Sequence, residues 1–131
     1  MSERHVLTIL ATPDKARLLA FYRAAFPGWT LGVDVPPYAE LALPGGARLG
    51  LYQREGFAAN VGALPAVVPE GALAHVELYL HVDDLELVER RLEAAGARLL
   101  SARAARAWGD EASYWADPDG NVVVCARPLA P

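Results

Sequence analysis

The sequence contains one pattern twice, seventy residues apart. Residues 5–14 are HVLTILATPD and residues 75–84 are HVELYLHVDD, so His, Val, Leu and Asp recur at matching places. Each half then ends in a turn between two strand-like segments, LPGGA at 43–47 and DPDGN at 117–121. A duplication of this length predicts two similar half-structures, and the space between such halves is the natural place for a site.

Composition limits the kinds of protein that this chain can be. With 131 residues it fits one domain, or two small modules that share a core. No apolar run reaches the ~18 residues of a membrane helix, and residues 1–4 lead directly into strand-like sequence, so we expect no signal peptide. The single cysteine, Cys125, excludes an internal disulfide, and the net charge of −4 disfavours nucleic acid as a partner. We therefore expect a cytoplasmic protein with no membrane or nucleic-acid partner.

The first half has the periodicity of a β-α-β-β-β unit. Thr12 is the expected N-cap of its helix, and Gly45 with Gly46 is the expected turn of its hairpin. The elements are expected at 5–11 (strand), 13–26 (helix), 29–35, 38–43 and 47–54 (strands).

The second half repeats this plan. Asp83 or Asp84 is the expected cap of a helix whose apolar stripe, Leu85, Val88, Leu92 and Ala95, has helical spacing. The strands are expected at 75–82, 97–102, 111–116 and 121–127.

Residues 56–73 have no clear period and are apolar for a linker, so we expect them to lie on the surface of the fold. The predicted organisation is a first module at 1–57, a connection at 58–73 and a second module at 74–131.

Several features together resemble the vicinal oxygen chelate superfamily, which contains glyoxalase I, extradiol dioxygenases, fosfomycin-resistance enzymes and bleomycin-binding proteins. They are the tandem βαβββ units, the Phe21-Tyr22 pair in the first helix, the Trp108-Gly109 step and the DPDGN turn before an apolar strand. The resemblance covers nearly the whole chain. It implies an α+β fold in which tandem βαβββ modules form a curled mixed sheet around a pocket, with the helices outside. By analogy, it also implies a homodimer.

In the metal-dependent members of that superfamily, the metal ligands lie on the first and last strand of each module. Aligning the two helix starts and the two turns gives Leu7, Gly50, Glu77 and Val124 as the corresponding positions. Only Glu77 carries donor atoms for a divalent ion, whereas such sites usually need three or more protein donors or several waters. We therefore expect no metal at these positions and no cofactor.

Period-2 alternation along the strands predicts which side chains face the pocket. That set combines apolar walls, aromatic surfaces and a few polar groups, a mixture that suits an organic ligand with one or two polar groups. The alternative is a solvent-filled face with hydrated edge residues. Tyr114 and Trp115 must face opposite ways, so only one of them lines the pocket. The predicted ligand-binding residues are His5, Leu7, Arg48, Tyr52, His75, Glu77, Tyr79, Trp115 and Val124.

Two alternatives involve catalysis. One is a metal-dependent lyase, isomerase or dioxygenase that uses a shifted ligand set of His5, His75 and Glu77. The other is a metal-free enzyme with Glu77 as the catalytic general base, because an apolar pocket raises the pKa of a carboxylate. The simpler role for Glu77 is an ion pair with Arg48 or another arginine.

The sequence favours a binding protein over an enzyme, because it identifies no second catalytic partner for Glu77. We predict a glyoxalase- and bleomycin-resistance-like protein that binds a small, partly apolar organic molecule in a metal-free pocket.

Overall fold

Helices and strands follow one another in the same order in both halves of the computed structural model, which describes residues 2–130. The first half contains β1 (Thr8–Thr12), α1 (Lys15–Ala25), β2 (Thr30–Val35), β3 (Tyr38–Ala42) and β4 (Arg48–Gln53). After α2 (Arg54–Val61), the second half contains β5 (Glu77–His81), α3 (Leu85–Ala94), β6 (Arg98–Ala105), β7 (Asp110–Ala116) and β8 (Val122–Pro128). The predicted α+β fold of tandem βαβββ modules is confirmed.

Each half forms a four-stranded mixed sheet, with strand order β1-β4-β3-β2 in the first and β5-β8-β7-β6 in the second. The first and last strands of each half pair in parallel, and the remaining pairs are antiparallel. The long parallel crossover is made by the helix and the two intervening strands, as parallel pairing requires.

The chain divides into two compact units. The first unit consists of the residues up to Arg23 together with Pro27–Val67, and the second of Ala24–Phe26 together with the chain from Val68. Each unit contains one of the two sheets.

The N-terminus of α1 differs from the prediction, because Asp14 rather than Thr12 is its cap. The Asp14 carboxylate accepts a hydrogen bond from the Arg17 amide at 3.0 Å, and the Asp14 carbonyl accepts one from the Leu18 amide at 3.1 Å. Thr12 is the last residue of β1, and its hydroxyl accepts from the Asp14 amide at 3.1 Å. Both side chains therefore satisfy amides at the helix entrance, and the helix begins later in the chain than expected.

The cap of α3 and three of the four predicted stripe residues follow the prediction, whereas Ala95 is the C-cap residue and is only half-buried. The Asp84 carboxylate accepts from the Leu87 amide at 3.0 Å, and Leu85, Val88 and Leu92 are buried. Burying this stripe is the main reason why a ten-residue helix is stable here, since short helices are marginal without tertiary packing.

Helix α2 was not predicted, because it falls where the sequence has no apolar period. None of its residues is buried, so it has no core-facing stripe for a periodicity argument to detect. It ends at Gly62, whose φ of 83° is left-handed and whose amide donates to the Ala58 carbonyl at 2.8 Å. The Arg54 guanidinium at its start donates to the Pro65 carbonyl at 3.1 and 2.7 Å, which holds the following segment against it.

Cys125 is fully buried, and burial raises the pKa of its thiol to about 12, so it is a packed apolar side chain rather than a nucleophile.

Within residues 2–130, every helix is too short or too polar to cross a membrane.

The turn before β8 is held by one carboxylate and one glycine. The Asp117 carboxylate accepts from the amides of Asp119 and Asn121, both at 2.9 Å, and from the Asn121 side chain at 2.8 Å. Gly120 has a φ of 84°, and a Cβ at this position would lie 2.5 Å from the Ala72 carbonyl oxygen. Glycine is therefore required here by both backbone conformation and space.

We expect Gly120→Ala to lower the free energy of unfolding by about 2–4 kcal/mol, because it adds a steric clash to a left-handed backbone. Gly46→Ala is the matched control, since Gly46 has a φ of 97° in the equivalent turn but nothing within 4 Å of its would-be Cβ. It should cost about 1–2 kcal/mol. Urea denaturation measures both values, and equal losses would show that the Ala72 contact is unimportant.

Candidate functional site

Four side chains of the second unit are joined by hydrogen bonds, two of which converge on one carboxylate oxygen. The Tyr79 hydroxyl donates to Asp110 Oδ2 at 2.5 Å, and His81 Nε2 lies 2.9 Å from the same oxygen. The Trp108 indole N–H donates to the Tyr79 hydroxyl at 2.7 Å. We refer to Tyr79, His81, Trp108 and Asp110 as the Asp110 cluster.

The local structure of each element explains this meeting. Tyr79 and His81 are two residues apart on β5, so both project from the same face. Asp110 is the first residue of β7, and Trp108 lies in the turn from β6 to β7. In that turn the Arg106 amide donates to the Asp110 carbonyl at 2.7 Å, and Gly109 has a φ of 94°.

The cluster joins a protected acid to exposed rings. The Asp110 side chain is 12% exposed and the His81 side chain 56%, whereas Trp108 as a whole residue is 58% exposed. The hydrogen bond from Tyr79, followed by that from His81, lowers the pKa of the Asp110 carboxyl, so Asp110 is ionised. Partial burial, followed by the bond to Asp110, raises the pKa of Tyr79, so its hydroxyl keeps its proton.

Strand register explains the environment of Val124, the predicted last-strand position of this unit. Val124 lies between Tyr79 on β5 and Tyr114 on β7 in the two ladders. It is fully buried in a cluster with Ala112 and Ala126, against which Tyr114 packs. A ligand would therefore reach Val124 only after its covering side chains moved.

Of the two adjacent aromatic residues on β7, Trp115 is the buried one. It is 6% exposed, and its indole N–H donates to the Ser113 hydroxyl at 2.9 Å. Tyr114 is half-buried on the face of Val124, and the Arg106 guanidinium lies 4.9 Å from the centre of its ring. Trp115, the residue chosen from the sequence, thus has the poorer access to a ligand.

In the first unit, the predicted position Gly50 lies beneath Tyr38. A Cβ added at Gly50 would be 2.5 Å from the Tyr38 hydroxyl and 2.9 Å from Ile9 Cγ1. The Tyr38 hydroxyl donates to Glu40 at 2.8 Å, and Glu40 pairs with Arg48 at 3.0 Å. Burial and the bond to Glu40 raise the pKa of Tyr38 to about 12, so it stays a neutral donor.

Tyr52, predicted to bind ligand, belongs to an aromatic group in the same unit. Its ring centre is 5.0 Å from that of Tyr38 and 6.3 Å from that of Phe57 on α2. Its hydroxyl accepts from the Asn60 side chain at 3.2 Å. This half-buried ring supports α2, the helix that the sequence did not predict.

The remaining predicted residues lie at or before the starts of strands. His5 and Leu7 precede β1, and His5 Nε2 is 3.2 Å from the Thr8 hydroxyl. His75 is exposed and precedes β5, and Glu77 is the exposed first residue of β5. Within residues 2–130, Glu77 forms no ion pair with an arginine.

The residues at the four family positions do not fit a metal. Leu7 and Val124 are apolar, Gly50 has no side chain, and the space of a side chain at Gly50 is filled by Tyr38 and Ile9. Among the described residues 2–130, no three His, Cys, Asp or Glu side chains are grouped so that they could hold a metal ion. The shifted set His5, His75 and Glu77 therefore has no support from this part of the chain.

Of the four members of the Asp110 cluster, sequence reasoning had selected Tyr79 as a candidate site residue and had not selected His81, Trp108 or Asp110. His81 shares the polar face of β5 with Tyr79, and this alternation was the available signal. Trp108 lies in the β6–β7 turn and Asp110 at the start of β7, both far along the chain from β5, and no local pattern links them to that strand.

We expect Gly50→Ala to lower the free energy of unfolding by about 1–3 kcal/mol, because the new methyl group clashes with Tyr38 and Ile9. Tyr38→Leu should reduce the cost of that substitution by about 1 kcal/mol or more in a double-mutant cycle. Gly28→Ala, with nothing within 4 Å, is the control and should change stability by less than about 1 kcal/mol. An unchanged cost of Gly50→Ala in the Tyr38→Leu background would contradict this packing.

Comparisons with known proteins agree with this fold. A glyoxalase-related enzyme from Fulvimarina pelagi is similar at 25% identity and a TM-score of 0.80, over 95% of this chain and 88% of that one. A glyoxalase/bleomycin resistance protein/dioxygenase from Nocardioides has 23% identity and a TM-score of 0.77, over 98% and 86%. A bleomycin-binding protein complexed with bleomycin has 18% identity and a TM-score of 0.66, over 97% and 100%.

The comparison with curated proteins gives no match. The family model described as a glyoxalase-like domain matches residues 7–125, which is most of the sequence. This chain belongs to the glyoxalase-like domain family.

Proposed function

We propose that this protein binds a small, planar, partly apolar organic molecule at the Asp110 cluster of the second unit. The observation that carries the proposal is the exposed indole of Trp108, which is anchored by its N–H to the Tyr79 hydroxyl. The proposal narrows the binding surface predicted from the sequence to the part of it that contains Tyr79.

Anchoring an exposed tryptophan has an energetic consequence for binding. Because the indole N–H is already bonded, the ring face is the part of Trp108 that a ligand contacts. A ring held in one orientation loses little further conformational entropy when a ligand stacks on it. Flat aromatic surfaces of this kind contribute much of the affinity at small-molecule and protein interfaces.

The Asp110 carboxylate gives the proposed binding surface a polar group at a fixed position. Asp110 is ionised and mostly protected from solvent, and two donors converge on its Oδ2. The same bonds fix Tyr79 and His81 relative to each other, and the bond from the Trp108 indole to the Tyr79 hydroxyl connects the ring to them. Pre-positioned polar groups beside an apolar ring are the usual composition of a small-molecule site.

The family supports the class of ligand but does not identify it. The similar bleomycin-binding protein is complexed with a small organic molecule, so this fold can support such binding. Residue roles do not transfer with a fold. The roles predicted for His5, Leu7, Arg48, Tyr52, His75, Glu77, Trp115 and Val124 remain predictions, as do the cytoplasmic location and the homodimer.

A thermal-shift screen of planar organic compounds tests the proposal. A compound that binds only the native state raises Tm, and Trp108→Ala should weaken its binding by about tenfold or more. Trp29→Phe is the matched control, because Trp29 stacks on Tyr22 in the first unit and lies outside the cluster.

The control variant should bind the same compound with unchanged affinity. Binding that survives Trp108→Ala without loss would contradict the proposed location.

A further inference from the structure

We infer that the ligand of the Asp110 cluster is an aromatic compound carrying a hydroxyl group, and that this hydroxyl donates its hydrogen bond to Nδ1 of His81. The inference rests on the proposed function and adds the chemical class of the ligand. It follows from the direction of each hydrogen bond in the cluster.

The hydrogen bonds of the Asp110 cluster run in one direction, which begins at the Trp108 indole. An indole N–H can only donate, so the Tyr79 oxygen accepts from Trp108. The single hydroxyl hydrogen of Tyr79 is then donated to Asp110. Asp110, as a carboxylate, can only accept.

This series of hydrogen bonds determines which ring nitrogen of His81 carries a hydrogen. His81 Nε2 lies 2.9 Å from Asp110 Oδ2, and two acceptors cannot bond to each other, so Nε2 must be protonated. In the neutral imidazole, Nδ1 then carries a lone pair. Among residues 2–130, no side chain or backbone group donates to it, and more than half of the His81 side chain is exposed.

An Nδ1 atom with a lone pair and no donor among residues 2–130 favours ligands that can donate a hydrogen bond to it. A hydroxyl on an aromatic ring is a good donor, and its ring can stack beside Trp108 and Tyr79, whose own ring centre is 6.0 Å from that of His81. An ether of the same shape cannot donate. An aromatic carboxylate can only accept and is repelled by Asp110, so it should be excluded.

Calorimetric titration with three naphthalene probes of matched ring size tests this selectivity. At about pH 8, 1-naphthol should bind about tenfold more tightly than 1-methoxynaphthalene. The 1-naphthoate anion should bind more weakly than either.

Two variants separate direct contact from positioning. His81→Lys keeps an N–H donor for Asp110 but has no acceptor, so the preference for naphthol should fall below about twofold while the ether binds as before. Tyr79→Phe keeps the ring and releases Trp108, so naphthol and ether should weaken by a similar factor and the preference should persist. Circular dichroism and Tm verify that each variant is folded.

The outcomes distinguish the two proposals. Equal binding of naphthol and ether to the unaltered protein, lost in Trp108→Ala, would overturn the hydroxyl inference and leave the proposed function standing. The hydroxyl inference alone would also fail if neither probe binds but another screened compound requires Trp108. Tighter binding of naphthoate than of naphthol would likewise overturn it, because it would require a donor on His81. If no compound binds, both proposals fail.

Discussion

Parallel pairing of the first and last strand in each unit is the constraint from which the rest of the structure follows. It makes β4 and β8 the inner partners of β1 and β5, and the intervening strands complete each sheet by antiparallel pairing. The register then fixes the lateral neighbours, so that Ile9 lies beside Gly50 and Tyr79 beside Val124. A shift of one residue would exchange the two faces of these strands.

The two units use equivalent places in this ladder for different chemistry. In the first unit, the inner strand has Gly50, and the space of its missing side chain is taken by Tyr38, which Glu40 and Arg48 hold in place. In the second unit, the inner strand has Val124, which is buried between its neighbours. Tyr79 beside it is bonded to Asp110. Hydrogen-bonded and apolar packing thus occupies the two last-strand positions, Gly50 and Val124, that the sequence resemblance gave as metal-ligand positions.

The sequence predicted the parts of the fold that local patterns specify. The repeat, the alternation of the strands, the stripe of α3 and its Asp84 cap all depend on residues close in the chain. Helix α2 was not predicted because none of its residues is buried. The segment that follows it is held in part by the hydrogen bond from the Arg54 guanidinium to the Pro65 carbonyl. A prediction from periodicity detects a buried stripe, so it cannot detect a helix whose residues are at most half-buried.

The candidate site was predicted only in part, for a related reason. Alternation along β5 placed Tyr79 on the relevant face, but it could not show that the β6–β7 turn brings Trp108 to the Tyr79 hydroxyl. Trp115 was chosen over Tyr114 although the choice depends on which face of β7 packs in the core. Such contacts depend on pairing between distant segments, which single-sequence patterns do not encode.

The protonation of the His81 ring tests the central claim most directly, because the whole account of the site depends on the bonds that converge on Asp110. Nitrogen NMR of protein labelled with ¹⁵N-histidine at about pH 8 distinguishes a protonated from a bare ring nitrogen, and His81→Gln assigns the signal among the histidines. The account predicts a hydrogen on Nε2 and a bare Nδ1. A hydrogen on Nδ1 with a bare Nε2 would contradict it.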